Sequence, residues 1–160
     1  MAAKLADYGH RVICTAGQAD VRATLTCLVA KLQKFCNTKT QNPHLVKGAL
    51  VGSDTFVNQV LRPYVELFSS KPPDWQGFIK FFIIPLGVNS VSKHIGNHDP
   101  IYASLFLHES WKELLEMAEP GKAEVSEIVS RVTQYLAASS NENLINLPVA
   151  EAMVTYKEKR

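Results

Sequence analysis

The spacing of apolar residues changes period several times along the chain, and each change predicts a new element. Residues 11–15 (RVICT) are short, apolar and β-branched and run into Ala16 and Gly17, which predicts a strand leaving into a turn. Over residues 19–36, Val21, Leu25, Leu28, Val29, Leu32, Phe35 and Cys36 step by threes and fours, the stripe of a helix with one buried face. The polar stretch 37–44 with Pro43 predicts a loop, and residues 46–51 (VKGALV) a second strand ending at Gly52. A helix follows. Ser53 or Asp54 can accept a hydrogen bond from the free amides of its first turn, and Phe56, Val57, Val60, Leu61, Tyr64, Val65 and Phe68 continue it at helical spacing. Pro63 predicts a kink or a break into two short helices, because proline lacks an amide and clashes with the preceding turn. Residues 69–74 close this unit as a loop.

Residues 78–85 (FIKFFIIP) are nearly continuous in aromatic and aliphatic side chains, the composition of a central strand covered on both faces. Pro85, Leu86 and Gly87 end it, a short helix is expected over 90–95, and 96–100 reads as a turn. Ser110 and Glu113 have capping-box spacing, so 111–118 is expected to be helical until Pro120-Gly121 stops it. Val125, Ile128, Val129, Val132, Tyr135 and Leu136 mark another amphipathic helix, and 149–156 (VAEAMVTY) a last strand. Strands alternating with helices imply βαβ crossovers. The expected class is α/β: one domain over 1–160 with a mainly parallel sheet of about four strands and helices on both faces, a Rossmann-like three-layer arrangement. A strand so near the chain end leaves that sheet truncated on its C-terminal side.

Composition narrows the classes without naming a partner. With 160 residues, 46% hydrophobic and 20% charged, the chain is globular and long enough to hold a core without metal or disulfide. Seventeen Lys and Arg against fifteen Asp and Glu leave a net charge of +2, far from a dedicated nucleic-acid binder. Cys14, Cys27 and Cys36 lack C-x-x-C spacing and lie in apolar patterns, where cysteine behaves as a small buried hydrophobe; a reducing cytosol fits. No secretory leader pattern opens the chain, and the apolar run around 81–85 is far short of the ~20 residues a bilayer span requires. A soluble protein that meets membranes through partners is expected.

The candidate chemistry gathers where strands end, at Gly52-Ser53-Asp54-Thr55 and Gly87-Val88-Asn89-Ser90. Asp54 would repel an anion at the helix N-terminus, and neither G-x-G-x-x-G nor G-x-x-x-x-G-K-[ST] occurs, so nucleotide binding is not expected. Ser53 follows a strand as a hydrolase nucleophile does, but Thr55 stands where the nucleophile elbow needs its second glycine; helix initiation is the expected role of Ser53 and Asp54. His94, His98 and Asp99 have metal-ligand chemistry, yet Gly96 and Asn97 are expected to end the helix before His98, leaving two loop histidines. Trp75 near Lys71 and Lys80 reads as packing, not base stacking. Arg22, Lys31 and Lys34, with Lys157, Lys159 and Arg160 at the end, read as solvated basic faces. No catalytic, cofactor-binding or metal-binding residue is assigned.

Five strings, LVGSDTF (50–56), LRPYVE (61–66), PDWQ (73–76), FIIPLG (82–87) and LPVAEAM (147–153), together resemble the C-terminal region of the phosphofurin acidic cluster sorting (PACS) proteins, with IVSRVTQYL (128–136) between the last two. The likeness covers most of 19–156, and residues 1–18 match less well. The resemblance implies a multidomain cytosolic adaptor that sorts membrane cargo between the trans-Golgi network and endosomes. The family's cargo-binding and adaptor-binding region lies N-terminal to the part matched, and its domain continues beyond the position of Arg160, so the chain reads as a piece or a truncated product. The resulting expectation is a non-catalytic interaction domain, needing no cofactor, whose partners are cytosolic trafficking proteins or other domains of the same adaptor. A small α/β nucleotide-binding or hydrolase-like domain is the alternative.

Overall fold

The structure is a computed structural model that describes residues 2–39, 41–117, 119–138 and 144–145. Its described residues form a mixed α/β arrangement, mostly helical, around two parallel strands: β1 (Val46–Gly52) and β2 (Ile79–Pro85). The helices are α1 (Ala2–Asp7), α2 (Gln18–Thr38), α3 (Asp54–Phe68), α4 (Ser90–His98), α5 (Pro100–Phe106), α6 (Glu109–Glu116) and α7 (Lys122–Ala138), with a 3-10 turn over Pro73–Phe78.

The strands run in register from Val46 beside Ile79 to Gly52 beside Pro85. Side chains of paired residues share a face, so Val46, Gly48 and Leu50 lie with Ile79, Phe81 and Ile83. That face packs against α2 and α3: Tyr64 of α3 meets Phe81 edge-on at 5.0 Å, and Val29, Leu32, Phe68 and Trp75 form a cluster with Ile79. The opposite face meets α5 and α7, where Phe82 contacts Tyr135 at 5.5 Å and the Lys47 ammonium donates to the Leu136 carbonyl at 3.1 Å. A second cluster joins Val21 and Leu25 of α2 to Leu50, Val57, Ile83 and Ile84, and continues through Tyr102, Phe106, Trp111, Ile128 and Val132. Helices therefore cover both faces of a parallel sheet, as expected, but two strands are found among the described residues, not four. Residues 11–15 are irregular, with Val12 39% and Ile13 56% exposed. Their β-branched composition is a local preference that takes effect only when neighbouring strands supply hydrogen bonds and packing, and none does so among the described residues. The strand expected over 149–156 lies outside the described residues.

β2 is buried on both faces, with Phe82 at 6% and Ile83 at 4% exposure. Its edge away from β1 is occupied near the C-terminal end: the buried Tyr102 hydroxyl donates to the Ile83 carbonyl at 3.0 Å, and Trp111 Nε1 donates to the Pro85 carbonyl at 3.0 Å. Among the described residues, that part of β2 is consequently an edge of the sheet. Burial pushes the Tyr102 hydroxyl up to about 12, against the Ser92 hydroxyl, so it stays a donor.

Three helix boundaries differ from expectation for identifiable reasons. α3 continues through Pro63 without a break, and Pro63 is fully buried, so core packing offsets the lost amide. α4 runs through Gly96 to His98; a Cβ at Gly96 would collide with the Leu107 side chain, so the glycine there permits a close approach and does not stop its own helix. α6 is capped by His108, whose ring accepts from the Ser110 amide at 3.3 Å, and the Ser110–Glu113 capping box does not form. Helix α5 replaces part of what the sequence pattern presents as a turn and an unassigned stretch. Asp99 before Pro100 is its start signal: Asp99 Oδ1 accepts from the Ile101 amide at 2.9 Å and the Tyr102 amide at 3.0 Å, and proline fits the first helical position.

Candidate functional site: the crevice at the strand ends

β1 and β2 both end at the same side of the molecule, and the loops leaving them, 52–54 and 86–90, meet there. Gly52 is required at the handover from β1 to α3, since an added Cβ would lie 2.6 Å from the Phe56 ring. Gly87 turns with φ +76°, the left-handed region that favours glycine. The loops are tied together twice. The Leu86 amide and the side-chain amide of Asn89 both donate to the Gly52 carbonyl, at 3.0 and 3.1 Å. Asn89 is itself buried, and its Oδ1 accepts from the Ser92 amide at 2.8 Å, capping α4.

Asp54 closes the arrangement. Its two carboxylate oxygens both accept from the Ser90 amide at 2.9 Å, and Oδ2 accepts from the Ser90 hydroxyl at 2.8 Å. These bonds, the Ser90 amide foremost, hold the Asp54 carboxyl below its usual range; partial burial opposes the shift, and the Val91 amide and Lys93 charge assist it. A carboxylate therefore sits at the N-terminus of α4, where a phosphate would have to bind. This corrects the expectation that Asp54 starts the helix following it: its carboxylate bonds are made to the first residue of α4, not to α3. Ser53 is the residue preceding α3, and its hydroxyl makes no capping bond.

His94 and His98 share α4, correcting the expectation that the helix ends between them; their rings lie 4.6 Å apart and His98 Nδ1 is 2.9 Å from the His94 carbonyl. No group of three potential metal ligands occurs among the described residues. Cys14 and Cys27 are exposed and Cys36 half-buried, contrary to the expectation of three buried hydrophobes. The apolar stripe of α2 settles this: Val21, Leu25, Val29 and Leu32 take the buried face, and Cys27 lies outside it. Trp75 is buried as core packing predicts, with the Lys71 ammonium 5.0 Å above its ring. Arg22 pairs with Glu66 at 2.7 Å on the surface, and Lys157, Lys159 and Arg160 lie outside the described residues. A surface depression runs along α2, lined by Ala19, Arg22, Ala23, Thr26, Cys27 and Ala30. No described helix is long and apolar enough to cross a membrane.

Comparison with known proteins agrees with the strings quoted above. The family model described as PACS-1 cytosolic sorting protein matches residues 1–160. Phosphofurin acidic cluster sorting protein 1 of Mus musculus is 39% identical over 155 residues, covering 97% of this chain and 16% of the relative. Phosphofurin acidic cluster sorting protein 2 of Homo sapiens is 39% identical over 150 residues, covering 92% of this chain and 17% of the relative. The chain thus spans about a sixth of the length of the curated relatives it matches. No solved structure matches it. With a family model matched from end to end and the same relatives aligned along nearly its whole length, this chain belongs to the PACS-1 cytosolic sorting protein family.

Proposed function

We propose that the chain is a non-catalytic protein-interaction domain of a membrane-traffic sorting adaptor. It binds cytosolic trafficking proteins or other domains of the same adaptor, and it works in the cytoplasm, at trans-Golgi network and endosomal membranes only through those partners. Its two strands belong to a larger Rossmann-like sheet, and the adaptor's cargo-binding region lies outside this stretch. Membership of a family of sorting proteins supports the trafficking role.

The observation that carries the non-catalytic reading is the Asp54 carboxylate on the Ser90 amide. In a parallel sheet the strand-end crevice is the usual ligand site, and an anionic ligand there needs the helix amides that Asp54 already holds. A nucleotide-binding or hydrolase-like domain would need them free. The test pairs thermal melting with binding. ATP, GTP, NAD, Mg²⁺ and Zn²⁺ should leave the melting temperature unchanged, where a ligand at a hundred times its dissociation constant adds about 2.7 kcal/mol. Purified coat-adaptor subunits, or the remaining domains of the same adaptor, should bind the chain. A nucleotide or metal that raises the melting temperature, with no trafficking protein bound, overturns the proposal.

A further inference from the structure

The two edges of the sheet are not equivalent. Peptide groups of a parallel strand point alternately to its two sides. The Leu86 amide reaches the Gly52 carbonyl, so even-numbered residues of both strands face one another and odd-numbered residues face outward. On β2, the outward carbonyls of Ile83 and Pro85 are already taken by Tyr102 and Trp111. On β1, the outward backbone groups of Ala49 and Val51 have no hydrogen-bond partner among the described residues, and Ala49 is exposed. The sheet can grow beside β1 and is closed beside the end of β2.

The direction of α2 indicates what grows there. Val21 and Leu25, near its start, share a cluster with Leu50 and Ile83, toward the strands' C-terminal ends on this face; Val29 and Leu32, further along, cluster with Ile79 at the N-terminal end. α2 thus runs antiparallel to the strands on the same face as α3, as the helix of a βαβ unit does. Its N-terminus lies at the end of the sheet where a preceding parallel strand would finish, and only Ala16 and Gly17 separate it from residues 11–15. Parallel crossovers are right-handed. Because α3 joins β1 to β2 over this face, a strand joined to β1 by α2 over the same face falls on the side of β1 away from β2. That is the side where Ala49 and Val51 are open.

We propose that residues 11–15 form a detachable edge strand, docking parallel to β1 at Ala49 and Val51, and that the arrangement in the structure is the undocked state. The segment carries the β-branched residues Val12, Ile13 and Thr15, exposes Val12 and Ile13, and makes no backbone hydrogen bond among the described residues. Docking satisfies both unpaired sets of peptide groups at once. The proposal rests on the sheet and not on the adaptor reading, so either can fail alone.

Amide hydrogen exchange on the full chain at neutral pH, with and without the paired substitutions V12P and I13P, tests it. Consecutive prolines remove a donor from each side of the segment, and because residues 11–14 are exposed the remainder stays folded. The expected result is exchange at Ala49 and Val51 at least about tenfold slower in the wild type than in the variant. Equal exchange in the two proteins overturns the proposal, whether fast, because the edge is open, or slow, because another segment or partner covers it. An independent variant, V51C with C27S and C36S, should form a disulfide with Cys14 under mild oxidation, since aligned strand ends bring these positions within bridging distance. Failure of that bridge to form also overturns it.

Discussion

At the scale of single residues, one carboxylate decides most of the local chemistry. Asp54 is legible in the sequence as a polar residue at a helix start, but its partner is not, because Ser90 is 36 residues away in sequence and only the pairing of β1 with β2 brings it near. Asp54→Ala should cost about 0.5–2 kcal/mol at pH 7, the usual range for losing a side-chain acceptor at a helix N-terminus. The sign with pH follows from the depressed acidity constant. The group is ionised in the folded protein below its ordinary value of 3.8, so its stabilisation is complete above that value and is lost as pH falls through the lower folded one. The difference in urea midpoint between wild type and D54A should therefore shrink as the pH is lowered below 3.8; a difference independent of pH would assign the effect to packing. His98 and Cys27 teach a complementary lesson. Their immediate neighbours suggest one environment, and a helix face whose direction is set by distant contacts gives each another.

At the scale of elements, strong periodicity is a dependable guide. α2, α3, α7, β1 and β2 appear within a few residues of their expected bounds, because each buries a continuous stripe or face and burial dominates local preference. Weakly apolar or short stretches are less informative. Residues 11–15 have strand composition but no paired strand among the described residues, and α5 hides in seven residues whose start signal, Asp99-Pro100, is explicit once the helix is seen. β2 carries the sharpest element-scale prediction. Phe82 faces α7 and Ile83 faces the α2–α3 side, so Phe82→Asp or Ile83→Asp each buries an unpaired charge in a different layer. Both should cost more than about 4 kcal/mol and abolish cooperative melting. A variant that melts as the wild type does would show that its face of β2 is not packed.

At the scale of the whole molecule, a net charge of +2 with mixed signs gives little long-range field. Partner affinity should change less than about tenfold between roughly 50 and 200 mM salt, where a polyanion binder loses about 10³–10⁵. A steeper loss, measured by titration calorimetry across that range, would reveal a charged interface on one face. Family membership is legible in the amino-acid sequence by itself, because collinear strings such as LVGSDTF and FIIPLG carry residue identities that many positions must match together. So are the α/β class, the parallel direction of the strands and the helices on both faces, which follow from periodicity and from the handed geometry of βαβ units. Tertiary structure alone decides how many strands pair among the described residues, that Tyr102 and Trp111 close the end of β2, and that Asp54 lies on the start of α4. The physical reason is the same in each case. A period reports which side of an element is buried, whereas strand pairing, edge closure and a carboxylate bound to an amide depend on which distant backbone groups meet, and no local pattern encodes that meeting.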